Sequence, residues 1–104
     1  MTKLAITLTR AAGTTVAEFR EYYRETHAPL AADLPGLERY TVSFPDDPES
    51  AGYDALAELW FPDAETMAGA FGSELGREVT ADAASFADMD AAERVVLDEE
   101  VVVE

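Results

Sequence analysis

Apolar and polar residues alternate along four short stretches of the chain, as they do in strands with one buried face. The stretches are KLAITLT at 3–9, LERYTVSF at 37–44, YDALAELWF at 53–61 and RVVLDEEVVV at 94–103. Three consecutive acids at 98–100 interrupt the fourth stretch. They indicate a bulge or an edge strand at that point. The pattern therefore predicts a sheet of four strands.

Between the first two strands, apolar residues recur at steps of three and four, which is the spacing of a buried helical stripe. The stripe runs over residues 16–30 and includes Tyr23 and His27, the only histidine of the chain. Thr15, followed three residues later by Glu18, predicts a capping box at the start of this helix. The spacing therefore predicts that His27 lies on the buried side.

The second half of the chain predicts two more helices. Asp63 opens one that runs to about Phe71, and Ser73 caps the next. The proline-rich and acidic stretch at 45–52 is predicted to be a surface loop. The element order matches the split βαβ arrangement of a ferredoxin-like α+β fold, with helices on one face of a four-stranded antiparallel sheet. Residues 1–104 are expected to form one domain.

The second face of the predicted sheet is not simply polar, because Leu56 and Trp60 lie on it. A second copy of the chain, packed sheet on sheet, would cover them. The alternative is a solvated face with two isolated apolar residues. We favour the homodimer. Asp54 and Glu58 share this face and are candidate partners for Arg39 across the sheet.

The charge balance excludes several classes of partner. The chain has 22 acidic and 7 basic residues, giving a net charge of −15, which repels nucleic acid and anionic membrane surfaces. No apolar run is long enough to cross a bilayer and no export signal is recognisable, so a soluble, cytoplasmic protein is expected. The acidic excess with a single lysine resembles proteins of salt-loving microbes. The absence of cysteine excludes thiolate chemistry.

Three sequence blocks carry a resemblance to a known family. They are FREYYRETHAPL at 19–30, LPGLERY at 34–40 and DALAELWF at 54–61, together with the spacing from Asp82 to Phe86. In these blocks the chain resembles the EthD family of the dimeric α+β barrel group. The resemblance implies a barrel built from two four-stranded sheets, with a pocket between sheet and helices in each subunit.

The resemblance also implies a range of activities. Members are linked to ether breakdown beside oxidative enzymes and are often labelled reductases or oxidoreductases, whereas other relatives resemble lactone isomerases, dehydratases or decarboxylases. The stretch RAAGT at 10–14 lacks the GxGxxG spacing of a dinucleotide site, so no cofactor is expected. No metal site is expected either, because one histidine without a second at helical spacing or an EF-hand loop is not a metal motif.

Four residues are candidates for a small-molecule site. His27 can exchange protons near neutral pH, and the resemblance places it on the histidine of the family's HAPL motif; the alternative is a structural histidine near a helix end. Tyr23 offers a hydroxyl one turn earlier, and Tyr40 and Trp60 offer flat apolar surface. The ligand expected is a small, mostly apolar, oxygen-bearing organic compound. The protein is then either a cofactor-independent isomerase or lyase that uses His27, or a binding or accessory protein for an oxidative partner.

Overall fold

A layer of strands and a layer of helices make up the computed structural model, which describes every residue from Met1 to Glu104. The strands are β1 (Thr2–Leu8), β2 (Arg39–Ser43), β3 (Ala55–Phe61) and β4 (Glu93–Asp98). All neighbouring strands pair antiparallel in the order β2-β3-β1-β4. This is the predicted ferredoxin-like α+β fold, with the helices on one face of the sheet.

The helices lie where the sequence predicts them, with two additions. They are α1 (Val16–Tyr22), a π-helical segment (Tyr23–His27), α2 (Ala28–Ala31), α3 (Pro48–Ala51), α4 (Ala64–Gly72) and α5 (Glu74–Phe86). The π-helical segment joins α1 to α2 without a break, so the predicted first helix is continuous but not regular. The acidic loop contains one helical turn, α3, because Asp47 caps it and Pro48 presets its first residue.

Side-chain caps fix the starts of the longer helices. Thr15 and Glu18 form the predicted capping box, with distances of 2.9 and 3.1 Å between the paired atoms. The backbone N–H of Thr15 and then its side chain lower the pKa of Glu18 below its ordinary value. This cap therefore stabilises the fold above the ordinary carboxyl pKa, and its contribution is lost as the pH falls through the lowered value. Asp63 and Ser73 cap α4 and α5 as predicted.

The turn between α4 and α5 depends on one glycine. A Cβ atom on Gly76 would lie 2.2 Å from the Ala70 carbonyl oxygen and 2.6 Å from the backbone of Phe71. These distances are far shorter than any real carbon contact. Gly76 therefore lets the first turn of α5 approach the end of α4.

The core lies between the sheet and the helices. Leu4 and Leu8 of β1, Phe61 of β3 and Phe19 of α1 are at most 3% exposed. Burying a side chain of this size stabilises the fold by about 1.5–3 kcal/mol relative to leaving it in water. The same face of the sheet carries the residues that meet the helices at the functional site.

The fourth strand is shorter than predicted. Thr2 pairs with Asp98, and the last backbone hydrogen bond joins the Glu99 N–H to the Met1 carbonyl. Beyond this point no backbone hydrogen bond joins residues 101–103 to β1, and β4 ends at Asp98. Their valine side chains are 65%, 90% and 86% exposed. The acids at 98–100 do mark an edge strand, as predicted, since β4 is an outer strand of the sheet.

The second face of the sheet differs from the prediction at Trp60. The indole is only 5% exposed, because the side chains of Lys3 and Arg39 lie over the ring at 5.2 and 4.7 Å from its centroid. The expectation that Trp60 needs a second copy as its cover is therefore wrong. The apolar surface left open on this face belongs to β4, where Val95 and Leu97 are 49% and 40% exposed.

The charge pairs on β3 also differ from the prediction. Glu58 pairs with Lys3 at 3.0 Å and not with Arg39, although both cations lie opposite Trp60 and diagonal to Glu58 in their ladders. Asp54 precedes the strand and pairs with Arg10 at 2.6 Å. Arg39 is left to cover the Trp60 ring.

None of the helices is both long enough and apolar enough to traverse a lipid bilayer.

Candidate functional site

A cavity of about 110 Å³ lies between the sheet and the helices. Most of its walls are apolar side chains, namely Ile6, Leu8, Ala57, Leu59, Phe71, Val79, Ala83, Met89 and Ala92. The remaining lining residues carry polar groups, namely Tyr23, His27, Tyr40, Thr80 and Arg94. An apolar cavity of about 150 Å³ can hold a benzene ring. This cavity is smaller, so it suits a short branched chain, or a small ring that is not fully enclosed.

A wider groove of about 440 Å³ lies elsewhere, between the loop after β1 and the loop before β3. Its charged groups are Arg10, Asp54 and Glu49, and Arg10 and Asp54 already satisfy each other through an ion pair and a backbone hydrogen bond. The groove is open and largely polar. The enclosed cavity is the better candidate for binding an organic compound.

The π-helical segment brings two of the cavity's polar side chains together. The Ala28 N–H donates to the Tyr23 carbonyl, five residues earlier, so the turn is wider than an α-helical turn. Pro29 follows and has no N–H to donate to the carbonyl of Glu25. In this wide turn Tyr23 and His27 point to the same side, with ring centroids 5.2 Å apart. Both side chains are buried, as the helical stripe predicted.

Asp82 of α5 is hydrogen-bonded to the Nδ1 side of the His27 ring. Its Oδ2 atom lies 2.8 Å from His27 Nδ1, and its Oδ1 atom accepts a hydrogen bond of 2.6 Å from the Tyr22 hydroxyl. A carboxylate can only accept, so the proton of the neutral ring lies on Nδ1. Nε2 has no protein hydrogen-bond partner, and the His27 residue lines the cavity. The Phe86 ring packs against the imidazole at 5.1 Å and fixes its position.

A pair of tyrosines completes the polar part of the cavity. The hydroxyls of Tyr23 and Tyr40 are hydrogen-bonded to each other. Burial raises the pKa of both phenols above the ordinary value, and for Tyr23 the neighbouring Tyr40 adds to the effect. Both hydroxyls therefore stay protonated at neutral pH and act as donors.

One proton of this pair is left over for a ligand. Two hydroxyls carry two protons, and the bond between them uses one. Tyr23 is fully buried, whereas Tyr40 is partly exposed. Either hydroxyl can be the donor, and because an unpaired donor is better tolerated at the less buried oxygen, donation from Tyr23 to Tyr40 is favoured. The Tyr40 hydroxyl can then donate to an oxygen atom in the cavity.

The fourth predicted site residue, Trp60, lies away from this cavity. Its neighbours Leu59 and Phe61 point into the core, and successive residues of a strand point to opposite faces. The indole is therefore on the other side of the sheet. The structure brings Tyr23, His27 and Tyr40 together and leaves Trp60 out.

A known family model covers the part of the chain that forms this cavity's helices. The model of the EthD domain matches residues 11–90, which include the helix that carries His27 and the helix that carries Asp82. The chain belongs to the EthD family. Over 75 residues it is 36% identical to an uncharacterized 11.0 kDa protein from the thcB-thcC intergenic region of Rhodococcus erythropolis. That match covers 68% of this chain and 71% of the relative.

Solved structures share the fold of this EthD protein. An EthD family protein from Bacillus halodurans superposes with a TM-score of 0.81 at 24% identity, over 96% of this chain and 100% of the other. SnoaB, a cofactor-independent oxygenase from Streptomyces nogalater, gives 0.73 at 16% identity, over 99% and 97%. A dimeric ferredoxin-like protein of unknown function from Jannaschia sp. gives 0.72 at 16% identity, over 94% and 98%.

Sequence reasoning missed three residues of the site. Asp82 was noted only for its spacing to Phe86, and nothing in the sequence joins it to His27, which lies 55 positions earlier. A signal was present, because Asp82 borders the apolar stripe of α5 that contains Val79, Ala83 and Phe86. The sequence contains no signal for Tyr22 or Arg94, because each comes to the site only through the tertiary structure.

The structure contains no group of three or more histidine, aspartate or glutamate side chains arranged to hold a metal ion.

Proposed function

We propose that this EthD protein transfers protons to and from a small, mostly apolar carbonyl compound, without a bound cofactor. The observation that carries the proposal is the His27 residue, which lines a mostly apolar cavity and is hydrogen-bonded to Asp82 at Nδ1, while Nε2 has no protein partner. A general base needs this arrangement: a free lone pair, a fixed tautomer and a site from which bulk water is excluded.

The reaction follows from the positions of the polar groups. His27 Nε2 takes a proton from the carbon next to the carbonyl of the ligand. The electrons of that C–H bond form a C=C bond, and the carbonyl π electrons move to the oxygen as an enolate. His27 then returns the proton to the same carbon or to another carbon of the enolate system. The first outcome is exchange, and the second is isomerisation.

The tyrosine pair supports the negative charge that forms on the oxygen. The Tyr40 hydroxyl donates to this oxygen, and the Tyr23 hydroxyl donates to Tyr40 from behind. Removing one such donor from an enzyme typically lowers the rate by about 10²–10³. Asp82 acts through His27, since it stabilises the imidazolium that forms when Nε2 takes the proton. One structural neighbour is described as a cofactor-independent oxygenase, which is compatible with chemistry carried out by side chains alone.

A second function uses the same cavity without turnover. A mostly apolar cavity with one hydroxyl donor is sufficient to bind an oxygen-bearing compound and to deliver it to an oxidative partner. In that case His27 serves only as a hydrogen-bond acceptor or as a structural residue.

A hydrogen-exchange experiment distinguishes the proposed enzymatic function from the proposed binding function. Cyclopentanone and cyclohexanone are incubated in D₂O with the protein, and loss of the α-proton signals is followed by ¹H NMR. We expect the wild-type protein to accelerate exchange over buffer and His27→Asn to lose about 10²–10⁴ of that acceleration, the usual contribution of a general base. Arg24→Gln, a change on the exposed side of the same helix, is the control and should keep it.

Two outcomes decide against the enzyme. Equal acceleration by the wild-type protein and His27→Asn would remove His27 from the reaction. Ketone binding, seen as saturation transfer from the methyl groups of the cavity, together with no exchange above buffer would favour the binding or delivery function.

We also propose that two copies of the chain associate through the open face of the sheet. The support is the exposed apolar surface on β4, where Val95 and Leu97 lie on the face opposite the helices. The valines at 101–103 continue this apolar surface beyond the strand. Such a contact would be two-fold and self-complementary. A solved neighbour of the same fold is described as dimeric.

A further inference from the structure

Arg94 stands out among the charged residues because of its position. It is the only residue with a permanent charge that lines the cavity, and no aspartate or glutamate lines it, although the chain contains 22 acidic residues. None of the ion pairs of the molecule includes Arg94. Other arginines also lack an ion-pair partner, but none of them lines the cavity.

The position of Arg94 places this charge at the mouth of the cavity. Arg94 faces the same side of the sheet as Ile6, its partner in the β1–β4 ladder, and Ile6 also lines the cavity. The guanidinium carbon lies 5.1 Å from the centroid of the Phe71 ring, which holds the head group against the apolar wall. Arg94 and Met89 are exposed members of the lining, so they mark its open side.

From this geometry we infer that the ligand of the cavity carries a carboxylate or another anionic group at its outer end, and that Arg94 selects for it. The inference rests on the proposed function, because it takes the same cavity as the binding site. The ligand then lies with its carbonyl oxygen toward Tyr40, its apolar body between sheet and helices, and its anionic group at the guanidinium. Arginine binds carboxylates through two parallel N–H donors, which gives a geometric as well as an electrostatic preference.

The acidic surface makes this selection necessary. A net negative chain repels an anionic ligand at long range, so a local cation is required for such a ligand to stay bound. An entirely apolar ligand gains nothing from an arginine at this place. The small volume of the cavity agrees with a ligand whose charged end remains at the surface.

Benzoate and benzamide provide the test, because they have nearly the same shape and differ in charge. Their dissociation constants are measured by ligand-observed NMR for the wild-type protein, Arg94→Gln, Arg24→Gln and His27→Asn. We expect the wild-type protein to prefer benzoate by about tenfold, in line with a charge-assisted hydrogen-bonded pair at a partly exposed site. Arg94→Gln should lose this preference and bind benzamide unchanged.

Arg24→Gln is a matched control. Arg24 is also exposed, lacks an ion-pair partner and lies over a phenylalanine ring, at 4.9 Å from the Phe44 centroid, but it does not line the cavity. Both variants lose one positive charge, so a general change in net charge affects them equally. We expect Arg24→Gln to keep the preference for benzoate.

The outcomes separate this inference from the proposed function. If the wild-type protein binds both compounds equally, or if the two arginine variants lose the preference alike, the role of Arg94 is refuted while the proton-transfer proposal stands. If His27→Asn keeps the benzoate preference, selection by Arg94 is supported independently of catalysis. If neither compound binds, selection by Arg94 is refuted, and the proton-transfer proposal is decided by the ketone exchange experiment alone.

Discussion

Asp82 decides which nitrogen of His27 is available to a ligand. Without a partner, a neutral imidazole can carry its proton on either nitrogen. The carboxylate at 2.8 Å from Nδ1 favours the tautomer in which Nε2 is free. The Tyr22 hydroxyl holds the other carboxylate oxygen, so the carboxylate is held in place and its orientation does not depend on the ligand. A general base with a fixed tautomer is the simplest function of such a chain of contacts.

At the scale of single residues, the sequence predicted which side chains are buried better than it predicted which side chains contact each other. The helical stripe correctly predicted that Tyr23 and His27 are buried, because a three- and four-residue spacing determines one side of a helix. It could not predict that Asp82 meets His27, since that contact depends on the packing of α5 against the first helix. Trp60 was assigned to a ligand site on its residue type alone, and strand alternation puts it on the other face.

At the scale of elements, local chemistry predicted most of the helix starts and strands. Thr15, Asp63 and Ser73 are caps in the structure as in the prediction, because a cap needs only residues within three positions. The π-helical segment and the end of β4 were not predicted. The first depends on how the helix continues past Pro29, which has no N–H to donate, and the second on where the pairing of β4 with β1 ends.

Two glycine substitutions test the packing of α4 against α5. Gly76→Ala should lower the free energy of unfolding by about 1–3 kcal/mol, because the new methyl group meets backbone atoms that cannot move aside. Gly69→Ala lies within α4 and has no atom within 4 Å of the new Cβ. It should raise the free energy of unfolding by about 0.5–1 kcal/mol through helix propensity. Urea unfolding followed by circular dichroism measures both, and an unchanged stability for Gly76→Ala would contradict the close approach.

At the scale of the whole molecule, charge and apolar surface are segregated. Most of the acids lie on the outside, the cavity lining contains none of them, and the exposed valines and leucine lie on or beside β4. A net charge of −15 opposes association of two copies, so concentrated salt should favour it by screening the repulsion. Adaptation to high salt stays a prediction from composition.

The distribution of charge and apolar surface leads to a prediction about the oligomeric state. We expect a dimer whose dissociation constant falls as the salt concentration rises, because screening weakens repulsion while the apolar contact remains. Native mass spectrometry from ammonium acetate at several ionic strengths reports the stoichiometry, together with any compound that co-purifies. Replacing Val95 and Leu97 with threonine should shift the equilibrium to the monomer. A wild-type protein that stays monomeric at every ionic strength would contradict the proposed contact.

The central claim, that His27 presents an unprotonated Nε2 to the ligand cavity, can be measured directly because the chain has a single histidine. In ¹⁵N-labelled protein both imidazole nitrogens are assigned without variants. We predict that the neutral ring is the Nδ1–H tautomer, that cyclohexanone shifts the Nε2 resonance more than the Nδ1 resonance, and that Asp82→Asn weakens the preference for this tautomer. A ring that carries its proton on Nε2, or an Nε2 resonance that does not respond to the ketone, would contradict the account.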